Sequence, residues 1–317
     1  MNGFTKKGYR FDIVRSLNDC RDYDIIIYEC KQDDDVPDVK VSGKVFVCTT
    51  TILTSLTVNS VPVNFRHPLV KMMGNIVMKW PHHTPFWSFG SFRRRHTPFD
   101  YINPKILEHA SQLRGILTSG CNEGALSIYR KAGLAVVNMP GGIPLDDTQY
   151  YDKGMERRLE SVFIGNVLHK PEQFEKFVVP FSREVECLFV TPPENKRVVS
   201  IARGEKRFES LEAGRVNELF NRSKLVPVIH WLGQPELNPR LITAVGSGAL
   251  PISDNSNLVK QFYDGLVPCS DDPSEWISMA KHYLADEEDR RSLVKRLREI
   301  CVERYSNVAL VEKLEAA

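Results

Sequence analysis

The sequence predicts an α/β protein of two successive units, each a parallel sheet flanked by helices. Three observations lead there. The candidate strands are short, continuous apolar runs rather than alternating ones, which is how strands covered on both faces read. Helical stretches separate many of these runs, and alternating strand and helix implies parallel pairing with right-handed crossovers. The chain has 317 residues, about two domains at ~100–200 residues each. A Pro/Gly cluster, Met139-Pro140-Gly141-Gly142-Ile143-Pro144, punctuates its middle. The expected division is 1–145 and 146–317.

Taken in order, the first unit offers strands at Tyr9–Val14, Asp24–Tyr28, Gly43–Cys48, Arg114–Thr118 and Leu134–Asn138, with a helix over Asn122–Lys131. After the Pro/Gly cluster, the charged stretch Tyr150–Leu159 reads as a helix. Ser161–Asn166 is a strand ending in a glycine turn, followed by a helix over Pro171–Phe181. Strands are expected at Glu186–Val190 and Arg197–Ile201. A helix over Leu211–Arg222 leads to the strand Val226–His230. A helix from Pro239 leads to the strand Leu250–Ser253, and amphipathic helices over Pro273–Ala285 and Glu287–Tyr305 follow.

Composition narrows the function classes. Hydrophobic residues make up 42% and charged residues 26%, an ordinary globular balance. Lys+Arg number 42 against 40 Asp+Glu, a net +2, so a histone-like polycation is excluded but a local basic patch is not. No apolar run approaches the ~20 residues that span a bilayer, and the first residues carry no signal-peptide core. Seven scattered cysteines with no Cys-x-x-Cys pair argue against a disulfide framework or zinc site and fit a reducing cytoplasm.

The most informative segment is Asn238-Pro239-Arg240 through Ser253-Asp254. Asn238 suits a helix cap and Pro239 a first helical position. A helix N-terminus at the carboxyl end of a sheet offers free N–H groups and the positive end of a dipole to phosphate. Arg240 adds a guanidinium that can hold phosphate oxygens bidentately. Gly246 and Gly248 end the helix; an ordinary helix-to-strand turn would look the same.

Pro239–Asp254, continued by Leu258–Gly265, resembles the C-terminal signature of GT-B glycosyltransferases, nearest to the group related to spore-maturation glycosyltransferases. Leu284-Ala285-Asp286-Glu287-Glu288-Asp289-Arg290 fills the family's acid-rich stretch, and Arg304-Tyr305-Ser306 its late aromatic turn. Thr118-Ser119, Tyr129–Gly133 and Met139–Ile143 are similar to the segment before the family's interdomain linker. Ser161–Asn166 is similar to the opening of its donor-binding domain. The resemblance covers about Leu113–Tyr305. There are two departures. The second of the two glutamates that many retaining members carry is replaced by Thr243, with Glu236 out of register. The usual opening strand with a glycine-rich turn is not evident before Lys7.

The resemblance implies two Rossmann-like domains with parallel sheets facing across a cleft. It implies a nucleoside-diphosphate sugar as donor substrate, held by the second domain, and an acceptor hydroxyl held by the first, with no other cofactor and no bound metal. Arg240 with Asn238 would stabilise the diphosphate leaving group. Gly165, Asn166, Thr243, Arg203 and Glu205 complete the donor-binding candidates. A surface salt bridge is the alternative reading for Arg203, and a solvated carboxylate for Glu205.

A second dense stretch, Lys79–His96, packs five aromatics, three His and three consecutive Arg into one Pro/Gly-containing loop. Aromatic faces beside cations suit sugars or unstacked bases, and Arg93, Arg94 and Arg95 suit phosphates. Trp87 and Phe89 are the stacking candidates. A loop whose aromatics plug the core reads the same way. His82 and His83 are candidate general bases, with Asp100 and Glu123 as alternatives. This loop makes the chain similar to phage glycosyltransferases that decorate hydroxymethylated DNA bases. Double-stranded DNA is therefore the expected acceptor, and a glycan, lipid or protein acceptor the alternative. The rival from another class is a non-catalytic nucleotide- or DNA-binding protein on the same fold.

Overall fold

Ile25–Cys30 (β1), Lys44–Thr49 (β2), Gly115–Thr118 (β6) and Ala135–Asn138 (β7) pair in the order β1-β2-β6-β7, every neighbour parallel. The structure is a computed structural model. It describes residues 5–10, 20, 23–30, 43–49, 56–58, 61–62, 99–101, 104–118, 123–139, 145–168, 170–230, 237–254 and 256–317. The predicted strand at Tyr9–Val14 falls largely outside these, and the described Tyr9 and Arg10 form no regular element. The apolar runs form strands because both faces are covered. Val45, Phe46, Val47 and Ile116 are buried, and Ile106, Leu113, Tyr129 and Leu134 form one core cluster with Val45, Val47 and Ile116. Three short strands, Leu56–Val58 (β3), Val61–Pro62 (β4) and Phe99–Tyr101 (β5), form a separate antiparallel sheet in the order β4-β3-β5, which the sequence pattern did not announce.

The second sheet has five parallel strands. Leu159–Ile164 (β8), Cys187–Thr191 (β9), Lys206–Phe208 (β10), Ser223–Val228 (β11) and Leu250–Ser253 (β12) run in the order β10-β9-β8-β11-β12. All five residues of β9 and all four of β12 are buried, as a sheet with helices on both faces requires. Helix Pro239–Gly246 (α7) buries Leu241 through Gly246. Trp276 is fully buried on helix Pro273–Ala285, donating from Nε1 to the Ser253 carbonyl at 2.8 Å and meeting the Phe177 ring at a tilt with centroids 4.9 Å apart. That hydrogen bond satisfies the indole without water, so the large ring costs little to bury.

The chain divides into two compact units. One comprises Met1–Tyr9, Ile143–Trp231 and Glu236–Val311; the other comprises Arg10–Gly142, Leu232–Pro235 and Glu312–Ala317. The C-terminal residues Glu312–Ala317 belong to the unit of the β1-β2-β6-β7 sheet, where Lys44 Nζ donates to the Glu315 carbonyl at 2.7 Å.

Two predicted elements are different in the structure. Tyr150–Leu159 is not a helix: residues 151–158 run without regular structure into β8. Gly154 takes φ 65° there, and distant partners hold the backbone. Asn221 donates to the Tyr151 carbonyl and accepts from the Lys153 N–H, at 2.9 and 2.6 Å. Arg157 is tied to the carbonyls of Phe220, Ser223 and Ser247. These tertiary bonds replace the helical ladder. Likewise Arg197–Ile201 is not a strand. A short helix, Lys196–Val199, follows a turn begun by Pro193, and only Val199 of it is buried. The place beside β9 is taken by β10.

Candidate functional site

At the carboxyl end of the second sheet, β8 delivers Gly165 and β11 leads through Ile229 and His230 toward helix α7. Asn238 caps that helix, its Oδ1 accepting from the Arg240 N–H at 3.1 Å. The same oxygen accepts from Arg240 Nη1 at 3.3 Å, so the guanidinium is fixed by its own helix cap. Gly165 has φ 152°, and a methyl group built on it would meet Arg240 Cζ at 2.8 Å. The missing side chain is therefore space that Arg240 occupies. Asn166 closes an Asx turn, accepting from the Leu168 N–H at 2.9 Å. Asn195, fully buried, brackets the same loop through the N–H groups of Val167 and Leu168, at 2.9 and 3.1 Å.

Lys170 joins this group from the end of the loop. Its Nζ donates to the Ile229 carbonyl at 2.6 Å, and Asn238 Nδ2 donates to the same carbonyl at 3.0 Å. Burial, with the nearby Arg240 charge, brings the Lys170 amine down to about 7, while Asp254 pulls the other way. Burial also lowers Arg240 from its ordinary value, against the opposing effect of Tyr150. Neither Lys170 nor Arg240 forms an ion pair among the described residues. Asp254, the carboxylate that acts on Lys170, is already engaged by His230 and Gln173. Two basic groups with no ion-pair partner among the described residues thus lie beside a capped helix N-terminus, an arrangement chemically suited to a doubly charged anion.

The structure brings Gly165, Asn166, Asn238 and Arg240 to one end of the sheet. Thr243 lies one turn along α7, but its hydroxyl donates to the Arg240 carbonyl at 3.2 Å within the helix. Arg203 and Glu205 lie elsewhere. Gly204 abuts the Cys187 carbonyl, at the first residue of β9, whereas Gly165 bonds to Val190 near its last. At about 3.3 Å per residue the two ends are roughly 10–13 Å apart. Both side chains are exposed, and Glu205 pairs with Arg207 at 2.8 Å. Asp100 is in β5, opposite Thr57. His82, His83, Trp87, Phe89, Arg93, Arg94 and Arg95 lie outside the described residues. Glu123 opens the helix Glu123–Lys131.

The sequence reading missed Lys170, His230 and Asp254 as site residues. Lys170 carried one usable signal, a cation directly before a helix-starting proline and shortly after a glycine turn. No group of three or more His, Cys, Asp or Glu able to hold a metal occurs among the described residues. No helix among them is long and apolar enough to cross a membrane.

Residues 185–316, which include α7, β12 and Asp254, match the family described as glycosyl transferase-like. The chain has a GT-B fold, and its residues 185–316 are similar to a glycosyl transferase-like domain. T4 phage BGT in complex with UDP-glucose is similar in structure, with TM-score 0.55 and 12% identity over 99% of this chain and 90% of that one. The DNA-modifying enzyme β-glucosyltransferase, studied with and without uridine diphosphoglucose, gives TM-score 0.54 at 11% identity over 99% and 89%. A TarM variant of S. aureus bound to fondaparinux, α-GlcNAc-glycerol and UDP gives TM-score 0.50 at 10% identity, covering 89% of this chain and 52% of that one. No curated protein sequence matches the chain significantly.

Proposed function

We propose that this glycosyltransferase takes its sugar from a UDP-sugar and that the diphosphate is held by Lys170, Arg240 and the first turn of α7. The observation that carries the reading is the pairing of two basic side chains, neither ion-paired with a carboxylate among the described residues, on one carbonyl-and-cap scaffold. A diphosphate supplies the missing negative charge. As the glycosidic carbon–oxygen bond breaks, charge gathers on the departing phosphate oxygen. The Arg240 guanidinium, the Lys170 ammonium and the α7 amides are then worth more than in the ground state, which is what lowers the barrier. The similar structures hold UDP or UDP-glucose, which favours uridine as the donor base and glucose as the first sugar to test.

The acceptor we propose is the hydroxyl of a hydroxymethylated base in duplex DNA, received by the N-terminal unit. Two things favour it over a glycan, lipid or protein. A similar full-length structure is a DNA-modifying glucosyltransferase. The chain also concentrates Arg93, Arg94 and Arg95 with Trp87 and Phe89 in one stretch of an otherwise near-neutral sequence. His82, His83 and Asp100 are the proposed general bases for that hydroxyl. The test is incubation with UDP-glucose and either hydroxymethylcytosine or unmodified duplex, read by mass spectrometry of the nucleosides. A hexose on the modified base supports the proposal. UDP release without sugar on either duplex would retain the donor reading and reject the DNA acceptor.

A further inference from the structure

The buried pair His230 and Asp254 is not needed to contact phosphate, yet it underlies everything that does. His230 is 3% exposed and Asp254 4%. One carboxylate oxygen accepts from the His230 backbone N–H at 2.9 Å and lies 2.7 Å from its Nδ1. The other accepts from Gln173 Nε2 at 2.9 Å and again from the His230 N–H at 3.1 Å. Asp254 stands just past β12, His230 just past β11, and Gln173 in the helical turn that follows Lys170. One carboxylate therefore ties three chain segments together at the edge where the cations sit. A buried charge with four satisfied contacts is costly to disturb, because removing one partner leaves the rest unpaired.

What this fixes is the peptide next door. With the His230 N–H held by Asp254, the Ile229–His230 peptide plane is set, and the Ile229 carbonyl can point only one way. That carbonyl is the common acceptor for Lys170 and Asn238. Asn238 in turn caps α7 and holds the Arg240 guanidinium. We infer that His230 and Asp254 are positioning residues for the donor, aligning both diphosphate-binding cations through the Ile229 carbonyl. The inference rests on the reading of that site as the UDP-sugar diphosphate site. The imidazole acts through its Nδ1 side: its Nε2 is buried and has no hydrogen-bond partner among the described residues.

The test compares UDP-glucose hydrolysis and thermal unfolding in the parent, His230→Leu, His230→Asn and Asp254→Asn. Leucine removes the Nδ1 contact, whereas an asparagine amide can place an N–H near the same position. Asp254→Asn is nearly isosteric and loses the charge and two acceptor sites, which guards against a leucine variant that fails to fold. The expected result is a KM for UDP-glucose raised about tenfold or more in His230→Leu and Asp254→Asn, with kcat lowered as well, because the misaligned cations also stabilise the leaving group. His230→Asn should restore KM to within about threefold of the parent. A purely structural role would lower the active fraction, and hence apparent kcat, at an unchanged KM; that outcome overturns the inference. A parent that neither binds nor hydrolyses UDP-glucose would overturn the donor reading itself, and the inference with it.

Discussion

Arg240 and Gly165 share one small volume, and each depends on the other. Arg240→Ala should cost about 2–4 kcal/mol of transition-state stabilisation, read as kcat/KM for UDP-glucose, while the melting temperature stays near the parent's. Gly165→Ala should act similarly for a different reason. The new methyl would meet and displace the Arg240 side chain, and an alanine at φ 152° adds backbone strain, so the melting temperature should fall as well. Lys170 adds a pH dependence. Its amine lies at about 7 in the free protein, and a bound diphosphate must raise that value, so binding takes up a proton. Affinity for UDP-glucose should be highest below pH 7 and decline above it, by about tenfold between pH 6 and pH 8. Calorimetry across that range checks it, and Lys170→Arg, which cannot deprotonate, should flatten the curve.

Helix α7 shows which local structure can be read from sequence. Asn238, Pro239 and the closing Gly246 and Gly248 act within one or two turns, so the element and its polarity were legible from residue types alone. Asn238→Ala should cost about 1 kcal/mol of stability from the lost cap. It should also weaken UDP-glucose binding, since it frees Arg240 and half of the Ile229 carbonyl's partners. Asp286 is similar: its side chain caps the Glu287–Tyr305 helix, accepting from the Asp289 N–H at 2.9 Å, which gives a structural role to part of the acid-rich stretch. The segment at 151–158 was not legible. Its conformation is set by Asn221 and by Arg157's bonds to carbonyls 63 to 90 residues away. The Lys170–His230–Asp254 part of the site was hidden for the same reason, as its three residues come from three crossovers. Arg203 and Glu205 lie apart from Arg240, which the sequence did not show because a turn's residue types do not reveal which end of the sheet it occupies.

Across the whole molecule, a net charge of +2 gives no general attraction for a polyanion, so any affinity for DNA must come from a local patch. If Arg93, Arg94 and Arg95 each neutralise a phosphate, replacing all three should flatten the slope of log affinity against log salt by roughly two to three units. Trp87→Ala should instead weaken binding by ~1–3 kcal/mol with little change of slope. Anisotropy with hydroxymethylated duplex over a salt series separates the two effects. The N-terminal sheet was readable as a sheet from its apolar runs, whereas the small antiparallel sheet of three short strands left too few residues for a period to show. The donor site can be tested apart from the acceptor: a UDP-sugar held through its diphosphate by Lys170 and Arg240 should lose affinity when both side chains are removed. Titration calorimetry of UDP-glucose into the parent and into the Lys170→Ala/Arg240→Ala double variant tests it most directly. Saturable binding to the parent and a loss of about a hundredfold or more in the double variant are expected. Equal affinity in a double variant that melts like the parent would contradict this assignment of the donor site.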